Sequence, residues 1–128
     1  MKGIRISKAS VYLQSFLYLT AGINHFRNPD FYYKLIPPYL PNPPLINIAS
    51  GIIEIILGVL LLFPATRRLA AFAIIAMLIA FIPAHIYQIQ SSDCHANEIC
   101  WPSLIGWLRL LIGQPLLIWW AWKVRDVR

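Results

Sequence analysis

Charge is scarce in this sequence. Only 12% of its 128 residues are Asp, Glu, Lys or Arg, about half of the ~25% typical of soluble domains. The chain is 59% hydrophobic, with a mean hydropathy of +0.62. Too few polar side chains remain to cover a water-exposed surface, which excludes an ordinary soluble fold and points to a membrane protein with a largely lipid-facing exterior. Cysteine is scarce as well. Cys94 and Cys100 are the two present, too few for a disulfide-rich scaffold and without zinc-site spacing. There is no Gly-rich phosphate loop, no Ser-His-Asp set, no HExxH and no CxxC, so the common signatures of nucleotide, serine-hydrolase, metalloprotease and thioredoxin-type chemistry are missing. The net charge is +6. It does not point to nucleic acid, because the basic residues sit in short segments that flank apolar runs.

What is present is a single domain, residues 1–128, built around the run Leu45 to Phe63, LINIASGIIEIILGVLLLF. At ~1.5 Å per helical residue it spans roughly 28 Å, close to the ~30 Å hydrocarbon core of a bilayer. Its one carboxylate, Glu54, lies near the middle, where a charge costs about 2.5–3.5 kcal/mol on insertion scales. Three further apolar runs flank it, giving helices over about 9–26, 45–63, 69–89 and 103–122. The first, after Lys2, Arg5 and Lys8, has the look of a signal peptide. It is long, carries Gln14 and Ser15 and lacks a good small-residue cleavage site, and so reads as a spanning helix. Pro83 predicts a kink in the third helix.

The connections complete the picture. Residues 27–44 form one outer loop, whose proline-rich part, Pro37 to Pro44, predicts an extended, polyproline-like segment. Phe31, Tyr32, Tyr33 and Tyr39 suit the membrane–water boundary. Pro64 to Arg68 predicts a tight basic turn, and residues 90–102 form a second, polar outer loop. Lys2, Arg5, Lys8, Arg67, Arg68, Lys123, Arg125 and Arg128 fall on the same side when both termini are inside, so the positive-inside rule gives an N-in, C-in orientation. Short connections favour antiparallel neighbours, and the expected architecture is an all-α, antiparallel four-transmembrane-helix bundle. Trp119, Trp120 and Trp122 mark the inner interface and Trp101 the outer one.

Polar residues converge in the outer half. Asn24 and His25 end the first helix, Glu54 lies ~14 Å in from Leu45 and Arg109 ~9 Å in from Ser103. His85 is about one turn from the outer end of the third helix. Ser50, Gly51, Glu54 and Gly58 share a stripe, as do Tyr18, Gly22 and His25, and as do Gly106, Arg109 and Gly113. Small residues on such stripes let helices approach closely. Glu54 and Arg109 are the formal charges well inside the runs, and mutual pairing is the cheapest arrangement. Two roles fit: a buried pair that fixes helix register, or a polar cavity that binds a small or amphipathic molecule through Asn24, His25, Glu54, His85 and Arg109. His25 and His85 could also be haem ligands, but histidines so placed more often hydrogen-bond a neighbouring helix. No metal site is expected. Cys94 and Cys100 enclose a short loop in which a disulfide, a redox-active dithiol or free thiols are each open; a disulfide there is worth roughly 2 kcal/mol by loop entropy.

The stretches AGINHFRNPDFYYKLIPPYLP (Ala21 to Pro41), SGIIEIILGVLLLFPATRRLAA (Ser50 to Ala71) and PAHIYQ (Pro83 to Gln88) resemble the DoxX-like family of small bacterial membrane proteins. The resemblance covers most of the chain, and its recurring positions fall on Asn24, His25, Glu54, Arg67, Arg68, Pro83 and His85. It implies a multi-pass, four-helix protein of the bacterial inner membrane, linked to redox or thiol-stress complexes. The expected role is then a redox-associated pocket that takes a quinone headgroup, with Glu54 as proton relay. No electron carrier is evident, so the chain is not expected to be an enzyme by itself and would need a soluble or membrane redox partner; self-association is open. A non-catalytic anchor subunit is the alternative, and a small proton-coupled transporter a third.

Overall fold

The computed structural model describes residues 6–90 and 103–128. Cys94, Cys100 and Trp101, and the readings placed on them, lie outside the described residues. Helix α1 runs Lys8–Arg27, α2 Pro29–Tyr33, α3 Pro43–Leu62, α4 Pro64–Ala80 and α5 Ile82–Gln90. Then come α6 Ser103–Leu108, a π-helical segment Arg109–Gly113, and α7 Gln114–Val124. The described residues are thus all-α. Three helical runs are long and apolar enough to cross a membrane: Pro43–Leu62, Pro64–Gln90 and Leu104–Val124. This is the make-up of a multi-pass membrane protein.

Prolines set most of the boundaries. Pro43 and Pro64 occupy the starts of α3 and α4, where the missing N–H costs nothing. The expected turn at Pro64 to Arg68 is therefore the first turn of α4, and Phe63 alone separates it from α3. Pro83 offers no N–H to the Ile79 carbonyl and its ring crowds that carbonyl. The expected kink is accordingly a break at Phe81 between α4 and α5. Pro115 has the same effect on the last run. It cannot bond Leu111, and the helix widens so that the Gln114 N–H donates to the Arg109 carbonyl, five residues back.

The proline-rich connection is not extended. Leu35 donates to the Tyr32 carbonyl at 3.0 Å and Leu40 to the Pro37 carbonyl at 3.0 Å, so the chain folds through successive turns around the buried Pro37. Proline's fixed φ suits a turn as well as a polyproline segment. Asn42, in the left-handed region at φ 53°, then redirects the chain, and its side chain accepts from Leu45 N–H at the start of α3.

Helix α1 packs along α3, and α4 packs on both α3 and α7. The α1–α3 crossing is set by glycine. A Cβ on Gly22 would lie 2.8 Å from the Gly51 carbonyl oxygen, and one on Gly51 3.0 Å from the Gly22 oxygen, so backbone meets backbone there. Lower down, Ser15 Oγ donates to the Gly58 carbonyl at 2.6 Å. At the Lys8 end, Val11, Leu61, Ala70, Ile74, Ala121 and Val124 form a fully buried apolar core. The last carbonyls of α3, which have no partner within the helix, are bonded by the next helix. Thr66 Oγ1 donates to Leu60 at 2.8 Å, Arg67 Nε to Leu61 at 2.7 Å and Arg67 Nη2 to Leu62 at 3.0 Å. Arg67 Nη1 also holds the Val127 carbonyl, and Trp120 Nε1 donates to Ser10 Oγ at 2.7 Å. The tail is thereby tied to α4, and α7 to the start of α1.

One helix is built inside out. The exposed face of α1 carries Tyr12, Leu13, Phe16, Leu17, Ile23 and Phe26, with Phe16 64% exposed, whereas Gln14, Ser15, Tyr18 and His25 are buried. In water the opposite arrangement is the stable one.

Candidate functional site

The Arg27 end of the α1–α3 interface holds a cluster of buried polar side chains. His25 is delivered by the last turn of α1, Asn47 and Glu54 by the face of α3 that turns to α1. These two fall two turns apart, with Gly51 between them on the same stripe. The close glycine crossing brings the two backbones near enough for short polar side chains to reach across.

Asn47 grips His25 twice. Its Nδ2 donates to the His25 carbonyl at 2.9 Å, which fixes the amide so that its oxygen meets His25 Nδ1 at 2.7 Å. An amide oxygen only accepts, so Nδ1 carries a hydrogen. The other ring nitrogen, Nε2, lies 3.5 Å from Glu54 Oε2. The facing pair is built so that either partner can hold a proton, as a carboxyl against a neutral ring or a carboxylate against imidazolium. His25 and Glu54 are 7% and 6% exposed, so the pair sits in a medium of low dielectric where it cannot be left half-ionised cheaply.

Aromatic and amide groups extend the cluster toward the surface. The Tyr32 ring stacks on His25 with centroids 3.7 Å apart. Asn24 Nδ2 donates to Tyr32 Oη at 2.8 Å, and Asn28 Nδ2 donates to Asn24 Oδ1 at 2.7 Å; Asn28 is exposed.

The expected residues are thus only partly assembled. Asn24, His25 and Glu54 belong to the cluster. His85 is buried on α5, and Arg109 opens the π segment. Glu54 and Tyr32 lie within electrostatic range of Arg109, as does His85. Among the described residues the basic side chain that Glu54 Oε2 faces at 3.5 Å is His25, not Arg109. The reason is helical phase and packing: His25 lies directly across the glycine crossing, while Arg109 stands on the π segment, which packs on α5. Arg67, one of the recurring positions, is occupied with the α3 carbonyls, and exposed Arg68 approaches Asp126 at 3.9 Å. Asn47 and Tyr32 join the site without having been expected there from the sequence. Asn47 carries a usable signal, since it continues the Gly51, Glu54, Gly58 stripe by one turn.

The class that fold and site define is an all-helical protein with three candidate spans and a buried polar cluster between its first two long helices. A family model described as a domain of unknown function, DUF8561, matches residues 14–125, and the chain belongs to that family. No curated protein and no solved structure matches it.

Proposed function

We propose that the protein is a four-span, N-in, C-in bundle of the bacterial inner membrane. Its Glu54–His25 site binds the polar head of a small amphipathic molecule, a quinone being the best candidate, and exchanges a proton with it. The observation that carries the membrane part is the inverted face of α1: Tyr12, Leu13, Phe16, Leu17, Ile23 and Phe26 are outward, and Gln14, Ser15 and His25 inward. A helix so arranged is suited to lipid, although its buried polar residues lower its average hydropathy. The DoxX-like resemblance belongs to this proposal and supports the setting.

The ligand part rests on the donor set. Glu54 Oε2 is buried and has no hydrogen bond among the described residues, although it faces His25 at 3.5 Å. An oxygen in that state has acceptor capacity to spare, and a protonated carboxyl can donate to a carbonyl. Arg109 and Tyr32 in electrostatic range add positive charge and a second donor. A quinone, when bound, supplies the redox chemistry. The chain supplies orientation, exclusion of water and a proton held between Glu54 and His25. On this reading the protein serves as a subunit and takes electrons from a partner.

The test is extraction of bound lipid-soluble compounds from protein purified in mild detergent, beside Glu54→Gln at equal yield. Near-stoichiometric quinone in the native protein and loss in the variant is expected. Absence from both would overturn the ligand reading and leave the cluster as a packing device in an anchor subunit.

A further inference from the structure

The α1–α3 interface holds more polar atoms than the site uses. Below Glu54, toward the Lys8 end, Gln14 is fully buried and Tyr18 is 4% exposed. Gln14 Nε2, Gln14 Oε1 and Tyr18 Oη make no hydrogen bond among the described residues. They stand one helical turn apart, close enough to interact but without hydrogen-bond geometry, and Glu54 lies within electrostatic range of Tyr18. Each such atom costs about 1–3 kcal/mol if it stays unpaired. Three on one buried stripe, continuing into Glu54 Oε2, point to a common partner.

Water is the partner that fits. The amide needs both a donor and an acceptor and the phenol needs at least one of them, and small polar sites of this kind are met by internal water. The stripe has unequal ends. Upward, polar groups continue through His25, Tyr32 and Asn24 to exposed Asn28. Downward, one turn below Gln14, it meets the fully buried Val11, with Leu61 and Val124 in the same apolar core. From Gln14 to His25 is eleven residues, ~16 Å of helix, or about half of a hydrocarbon core.

We propose that Gln14 and Tyr18 hold internal water against Glu54, making this stripe a proton half-channel open only at the Arg27 end and sealed by the apolar layer at Val11. It rests on the reading of Glu54–His25 as a working proton site. The titratable and charged groups that face the pair are Tyr18 on α1, Tyr32 on α2 and Arg109 on the π segment, with His85 on α5 in electrostatic range of Arg109.

The experiment uses the full chain in sealed liposomes with an entrapped pH dye. The native protein should be proton-tight. Val11→Ser, or Leu61→Ser as a second opening of the same layer, should speed acid entry by about tenfold, equal to about 1.4 kcal/mol off the barrier. Adding Gln14→Leu or Glu54→Gln to either should restore tightness. A native protein that leaks as fast, folded layer variants that stay tight, or a leak indifferent to Gln14 and Glu54 would each overturn the half-channel. In unaltered protein in nanodiscs, magnetisation transfer from water to the 15N-labelled Gln14 amide gives a second readout: transfer is expected, and none overturns it. Neither readout involves quinone, so a missing ligand and a missing half-channel are separate results.

Discussion

The two ends of the α1–α3 pair solve the same packing problem with opposite materials. Toward Arg27 the helices meet through glycine, and the space between them is filled by His25, Asn47 and Glu54. Toward Lys8 they meet through Val11 and Leu61, fully buried and apolar. The apolar end gains its cohesion from close packing and from side chains that finish the α3 carbonyls. The polar end gains little from burial, and its hydrogen bonds are specific rather than strong. A protein that needed only to hold together would use the first solution at both ends. On the proposed function, the second serves a proton that must remain mobile.

That contrast can be broken first at the crossing. Gly51→Leu drives a side chain into His25, whose Cβ would stand 2.8 Å from the new Cβ, and toward the Gly22 carbonyl. Because one neighbour is backbone, the helices must separate; the expected result is loss of monodisperse folded protein on size exclusion. The apolar end gives the next effect. Arg67→Met removes the donors for the Leu61, Leu62 and Val127 carbonyls at once. A loss of about 3 kcal/mol in a denaturant titration is expected, with quinone occupancy per folded molecule unchanged, since charged hydrogen bonds run at about 1.5–3 kcal/mol each and part is recovered by solvent at the tail. The smallest effect is at the surface. Arg68→Ala breaks an exposed pair with Asp126 at 3.9 Å and should shift the same titration by less than about 0.5 kcal/mol.

Much of this is legible in the sequence because lipid-scale helices announce themselves. The apolar run bounded by proline locates α3 to within two residues, and the small residues at Gly22, Gly51 and Gly58 mark the face where helices touch; α4 starts at Pro64 rather than Leu69, because Pro64 to Arg68 reads as a turn although proline is well placed to open a helix. The partner of Glu54 is not legible. Sequence gives depth along a helix but not rotation about it, and a pairing chosen by charge alone prefers Arg109 to the nearer His25. The break at Phe81 can be placed only roughly from Pro83, and Pro115 carries the same signal inside the last apolar run, where the sequence reading expects an unbroken helix. The turns around Pro37 differ from the expected extended segment because proline's fixed φ serves both extended and folded backbone.

The inverted face of α1 also bears on how the chain is made. Helices α3 and α4, joined through Phe63 alone, form a hairpin of local contacts whose two arms are apolar enough to enter a bilayer together. Helix α1 leaves the ribosome first yet carries Gln14, Asn24 and His25, and the partner that covers His25, Asn47, is synthesised some twenty residues later. On the membrane-spanning reading, α1 is therefore the hesitant segment of biogenesis. Its buried polar groups find their partners only when α3 arrives.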